Sequence, residues 1–386
     1  MKFPVGIDMI EATRLTRQGK LKAALALLTQ GTAPKTAEVP GELSIDMAAP
    51  SREPGASWTA RAPEFSERVT KVVPPLERLM AQLGEHLPGG ASRLRKTATP
   101  LPAPEGSSFE GHVYSDSTGQ RPYKLYIPGA LSDESPALVV MLHGCTQSPD
   151  DFASGTQMNA LAETYGFLVA YPGQTQSANA SKCWNWFNAG DQQRDRGEAA
   201  LIAGLTREVI RTYRIDPRRV FVAGLSAGGA AAAVLGAIYP DLYVAVGVHS
   251  GVACGAARDM TSAFAAMTQG AKGPIRFNPR PLRTIVFHGD ADRTVNPVNA
   301  TQITAQVRGR TQLRRVETTG ISAGGVRYTR TIETDKSGVS RLEAWVLHGA
   351  GHAWSGGSSG GSYTDPKGPD ASAEMVRFFL QVDPEI

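Results

Sequence analysis

The stretch Val220-Phe221-Val222-Ala223-Gly224-Leu225-Ser226-Ala227-Gly228-Gly229 decides how this chain folds. Residues 220–223 are a short apolar run suited to a strand buried on both faces, and residues 230–238 are alanine-rich and suited to a packed helix. Between them Gly224, Leu225, Ser226, Ala227 and Gly228 fit G-x-S-x-G, a turn that carries a strand straight into a helix with a serine at its apex. Such a turn crowds its own backbone, so side chains at 224 and 228 would collide with it. The same five-residue pattern arises by chance in long chains. Here the strand before it and the helix after it give it a structural context.

Outward from this turn, strands are expected at 110–114, 121–127, 137–142 and 167–171 upstream, with helices over 149–165 and 197–213. Downstream, strands are expected at 244–249, 284–288, 326–334 and 342–347, the third of them antiparallel. Helices are expected over 296–308 and 370–381, and residues 251–281 as a loop or small cap. Buried strands alternating with helices make an α/β fold: a mostly parallel, twisted sheet with helices on both faces.

The first hundred residues differ in character. Residues 8–30 place Ile10, Leu21, Leu25 and Leu28 at helical spacing, which predicts an amphipathic helix. Such a helix either binds a partner or surface, or packs on the main domain or a second subunit of a homo-oligomer. Residues 31–62 and 87–108 are rich in Pro, Gly, Ala and Ser and are expected as linkers, with a short helix over 75–83 between them. Residues 1–108 are therefore expected as a helical and linker extension, and 109–386 as the catalytic domain.

With 386 residues, 41% hydrophobic and 20% charged, the chain has an ordinary globular composition. Its net charge of +4 is small and its Lys and Arg are dispersed, so nucleic acid is not a favoured partner. No apolar run reaches spanning length, so no membrane span is expected. The N-terminus lacks the apolar core of a leader, which makes a cytoplasmic location the default. The three cysteines, Cys145, Cys183 and Cys254, and the seven histidines lack metal-ligand spacing; no metal or other cofactor is expected. Cys145 and Cys183 both fall in loops after successive strands and could form one disulfide; three reduced thiols fit the spacing equally well.

A serine becomes a strong nucleophile when a neighbouring base takes its proton, and that base needs a carboxylate to orient it. In sheets with this turn the chain order is Ser, Asp or Glu, then His. After the 284–288 strand come His288-Gly289-Asp290-Ala291-Asp292, and after the 342–347 strand come His348-Gly349-Ala350-Gly351-His352. Asp292, deeper in its turn, is preferred over Asp290 as the acid. His352, in a loop beyond the last strand, is preferred over His348 as the base. The candidate catalytic residues are thus Ser226, Asp292 and His352. A developing oxyanion needs two amide donors. Ala227 supplies one, and Cys145, with Thr146 as the alternative, supplies the other. Trp184 and Trp186, in Lys182-Cys183-Trp184-Asn185-Trp186-Phe187, and Trp354 beside His352 are either aromatic walls for substrate or anchors that pin their loops.

Several stretches together resemble one family. They are Leu142-His143-Gly144-Cys145-Thr146-Gln147-Ser148, Cys183-Trp184-Asn185-Trp186-Phe187, the Ser226 turn, Gly351-His352-Ala353-Trp354-Ser355-Gly356-Gly357, and Tyr363-Thr364-Asp365-Pro366. They look like the polyhydroxybutyrate depolymerase family of α/β-hydrolase esterases, which also includes feruloyl- and acetylxylan-type enzymes. The resemblance implies the same triad and, as substrates, esters of short-chain 3-hydroxyalkanoates; a feruloyl, acetylxylan or general carboxylesterase is the alternative. It also implies a secreted or periplasmic location as the alternative to the cytoplasm. Secreted members that attack solid polymer usually add a leader and a polymer-binding module. Neither is legible here, so the expectation turns toward soluble oligomers or small esters. A reading from another class is a non-catalytic scaffold that binds a granule or partner through its N-terminal helices.

Overall fold

The chain divides into two compact units, Met1–Val72 and Val73–Ile386. The computed structural model describes residues 47–48, 59–60, 104–131, 135–272 and 280–380. In the first unit these residues form a short antiparallel ladder, β1 (Met47–Ala48) against β2 (Thr59–Ala60). It falls within the stretch expected as a linker over 31–62. The rest of that stretch, the helices expected over 8–30 and 75–83, and residues 87–103 lie outside the described residues.

The second unit begins with the hairpin β3 (Ser108–Asp116) and β4 (Gly119–Ile127). It continues through β5 (Ala137–Leu142), β6 (Phe167–Pro172), β7 (Val220–Leu225), β8 (Ala245–His249) and β9 (Arg283–Gly289), then β10 (Arg314–Ile321), β11 (Arg327–Thr334) and β12 (Ser340–Leu347). These strands form one ten-stranded sheet in the order β10-β11-β12-β9-β8-β7-β5-β6-β4-β3. The central run from β12 to β6 is parallel, and antiparallel strands close both edges.

The apolar runs explain this arrangement. Every residue of β5, β6, β7, β8 and β9 is buried, so these strands need cover on both faces. Along β5 the side chains alternate: Leu138, Val140 and Leu142 join one core, and Ala137, Val139 and Met141 join the other. The first core is completed by α3 (Gly197–Tyr213), α4 (Ala227–Ile238) and α6 (Val298–Arg308), through Ile202, Leu235 and Ile303 among others. The second is completed by α1 (Pro149–Thr156), α2 (Met158–Tyr165) and α7 (Ala371–Leu380), with Phe152, Met158 and Phe379 buried. Each such side chain contributes roughly 1.5–3 kcal/mol by leaving water.

Three local features depart from the sequence expectation. The single helix expected over 149–165 is two, because Gln157 adopts a left-handed conformation (φ 57°, ψ 22°) between them. Strand β10 was not expected: its residues are almost all exposed, and it exists by pairing with β11. The cap region contains a helix, α5 (Met260–Gln269), started by a capping box in which Asp259 accepts from the Ser262 amide and the Ser262 hydroxyl accepts from the Asp259 amide. Among the described residues no helix is long and apolar enough to cross a membrane.

Candidate active site

The turn after β7 has the crowding its sequence predicts. A Cβ at Gly224 would lie 2.4 Å from the Gly228 backbone, and one at Gly228 would lie 2.0 Å from the Leu142 carbonyl oxygen. Ser226 stands between them at φ 58° and ψ −118°, a strained conformation for a residue with a side chain. Its amide donates to the His249 carbonyl at 2.9 Å, and its own carbonyl accepts from the Ala230 amide at 2.9 Å. The strain is therefore held from both sides, with the serine at the N-terminus of α4.

The loops after β9 and β12 meet next to it. His352 Nδ1 lies 2.7 Å from Asp292 Oδ2, while Asp292 Oδ1 accepts from the amides of Thr294 and Val295, both at 2.9 Å. Burial alone would raise the Asp292 carboxyl, but the hydrogen bond and charge of His352, with the Val295 amide, outweigh it and hold the group below the usual carboxylate value. Asp290 makes a separate pair: it accepts from the Gly349 amide at 2.7 Å and lies 2.8 Å from His348 Nδ1, on the surface. The other His348 nitrogen meets the Thr329 hydroxyl.

Residues 143–147 are tied to the aromatic loop. Cys145 and Cys183 form a disulfide, and the Thr146 amide donates to the Ser181 carbonyl at 2.7 Å. That bond occupies the amide held as the alternative oxyanion donor. The Cys145 amide has no acceptor among the described residues, and Ala227 is the first residue of α4, where amides lack intrahelical partners. Gln147, which sequence reasoning did not single out, accepts from the Gly144 amide at 2.9 Å and donates to Asp151 and to the Ser362 carbonyl. Two of these partners are three and four residues away, but its bond to Ser362 spans 215 residues and leaves no local mark.

Ser226, Ala227, Cys145 and His352 line one cavity of about 1060 Å³, its open mouth included. Among the described residues no hydrogen bond joins the Ser226 hydroxyl to His352. Contacts of this kind are often long without substrate and tighten in the complex. Trp186 and Phe187 line the cavity, and α5 adds Met260, Phe264 and Met267. Trp184 and Trp354 do not, which corrects their expected place as walls. Trp184 is fully buried and its indole donates to the His143 carbonyl at 2.9 Å; Trp354 is buried between Phe152 and His249 and donates to Ser372. Asn185, the neighbour of Trp184, bonds through its amide and side chain to half-buried Glu198.

Residues 121–331 match the family model described as esterase PHB depolymerase. The chain belongs to this family. It is 33% identical over 241 residues to poly(3-hydroxyalkanoate) depolymerase C of Paucimonas lemoignei, covering 59% of this chain and 57% of that protein. It is 30% identical over 244 residues to a probable acetylxylan esterase A of Aspergillus clavatus, covering 58% of this chain and 78% of that protein. The matched stretch thus spans little more than half of the Paucimonas relative. The acetyl xylan esterase from Aspergillus awamori superposes with a TM-score of 0.56 at 23% identity, covering 71% of this chain and 99% of that one. That likeness places the family member in the α/β-hydrolase fold. Ser226 and Asp292 fall inside the family match and His352 lies beyond its end.

Two further histidines of this esterase-family chain are buried in its framework. His143 accepts from the Gln174 amide at 3.1 Å, and burial pushes its imidazole down to about 4. His249 accepts from the Ser355 amide at 3.0 Å, and burial pushes it down to about 3. An unfolded histidine takes its proton near pH ~6.5, so below that the unfolded chain binds more protons and stability falls with pH. Melting temperature is expected to drop by several degrees between about pH 7 and about pH 5, each histidine removing about 2 kcal/mol. A melting temperature that is flat or rises over this interval contradicts the assignment of both rings as neutral. Among the described residues no group of three or more His, Cys, Asp or Glu could hold a metal ion.

Proposed function

We propose that this chain is a serine esterase acting through Ser226, His352 and Asp292. The observation that carries the reading is the 2.7 Å bond from His352 to buried Asp292, with His352 and Ser226 on one cavity. Asp292 accepts a hydrogen bond from the Nδ1–H, which keeps that proton on Nδ1 and leaves the Nε2 lone pair free to act as base. Ser226 Oγ attacks the ester carbonyl as His352 takes its proton. The carbonyl oxygen becomes an oxyanion held by the Cys145 and Ala227 amides. His352 then protonates the departing alcohol, and a water, deprotonated by the same ring, releases the acid from the acyl-enzyme.

The cavity supports an apolar acyl or alcohol portion, given Trp186, Phe187, Val252, Phe264 and Met267 on its walls. With a hydroxyalkanoate depolymerase and an acetylxylan esterase among its relatives, we assign short-chain poly- or oligo(3-hydroxyalkanoate) esters as the preferred class. A panel of 3-hydroxybutyrate oligomers, p-nitrophenyl butyrate, methyl ferulate and acetylated xylan oligosaccharides tests this. The oligomers are expected to give the highest kcat/KM. A higher value on acetylated xylan or ferulate would reassign the substrate, and no turnover of any ester would remove the esterase reading.

A further inference from the structure

We infer that Tyr363, together with Thr146, recognises a second oxygen on the substrate, a hydroxyl or carbonyl beyond the reacting ester, and so selects hydroxyacid esters over plain alkyl esters. The inference rests on the esterase reading and deepens it.

Tyr363 lines the same cavity as Ser226 and His352 and, at 42% exposed, is the most exposed aromatic of that lining among the described residues. It is held at φ 53°, and Thr146 at φ 66°, conformations that non-glycine residues with branched or bulky side chains rarely adopt. Such strain persists where neighbours over-determine the backbone. They do so here. The Tyr363 carbonyl accepts from the Trp354 amide at 2.7 Å, next to the paired strands β13 (Trp354–Ser355) and β14 (Thr364–Asp365). The preceding Ser362 is bonded through its amide to Asp151 and through its carbonyl to Gln147. Gln147 also holds the Gly144 amide, so the segment carrying Tyr363 and the loop carrying Cys145 are fixed to each other.

This framework brings Tyr363 Oη to 3.3 Å from Thr146 Oγ1. Two hydroxyls in such a pair own two protons, and their mutual bond uses one. The other is free to donate, and both oxygens keep lone pairs to accept. Of the other polar side chains in the lining, Ser226 and His352 belong to the proposed chemistry and the Asn179 side chain is bonded to Ser181, Cys183 and Asn185; Thr294 lies on the opposite loop, its amide bonded to Asp292. In a mostly apolar cavity, a free hydroxyl at the rim discriminates best against substrates that cannot pair with it.

The test compares methyl 3-hydroxybutyrate with methyl butyrate, which differ by one hydroxyl. The quantity read is the ratio of their kcat/KM values in the unmodified protein, in Tyr363→Phe and in Thr146→Val. The unmodified protein is expected to favour the hydroxyester, and each variant to lower the ratio about tenfold. The double variant is expected to lower it no further than either single one, because both act on one hydroxyl pair. A ratio unchanged within about twofold in both single variants, whatever their absolute rates, overturns the inference and leaves the esterase reading standing. Absence of hydrolysis of both esters by the unmodified protein overturns the inference, and the esterase reading falls with it when p-nitrophenyl butyrate is not hydrolysed either.

Discussion

Asp292→Asn is expected to lower kcat on p-nitrophenyl butyrate about 10⁴-fold, while Asp290→Asn lowers it by less than about tenfold. The two aspartates sit two residues apart on one loop, and geometry separates them. Asp292 is buried, bonds His352 Nδ1 at 2.7 Å, and is steadied by two backbone amides on its other oxygen. An asparagine there can place its NH₂ toward the ring, and Nδ1 must then accept rather than donate. The Nε2 proton that results faces Ser226, where a base is needed. Asp290 pairs with His348 at the surface, an interaction of the kind worth about 0–1 kcal/mol. Its loss loosens a loop without changing the tautomer of His352. Steady-state rates of the two variants, with circular dichroism to show that both fold, check the ranking. The reverse ranking would move the acid to Asp290.

How much of this was legible depends on where the determining contacts lie. Strands β5 to β9 could be recognised because burial on both faces demands unbroken apolar runs. Strand β10 could not, since an exposed edge strand carries Arg314, Arg315, Glu317 and Thr318 as readily as a loop does. The break at Gln157 was hidden because apolar spacing continues on both sides of one left-handed residue. In the candidate site, Ser226, Asp292 and His352 were legible as the residues proposed for the chemistry because they lie just past strand ends, a position that follows from the sheet. The aromatic residues were not. Trp184 faces away from the cavity toward the His143 carbonyl, and Trp354 away from it onto His249, residues far away in sequence. Tyr363 lies in a loop rich in glycine and serine, and only the meeting of that loop with Thr146 gives it a role to propose.

The account stands most directly on the identity of the nucleophile. A fluorophosphonate ester is expected to label the protein at one site, the peptide containing Ser226, with loss of ester hydrolysis in proportion to labelling. Ser226→Ala is expected to keep its fold, take no label and lose kcat by a factor on the order of 10⁶. An adduct mapped to another residue, or a Ser226→Ala protein that still hydrolyses p-nitrophenyl butyrate at the unmodified rate, would contradict it.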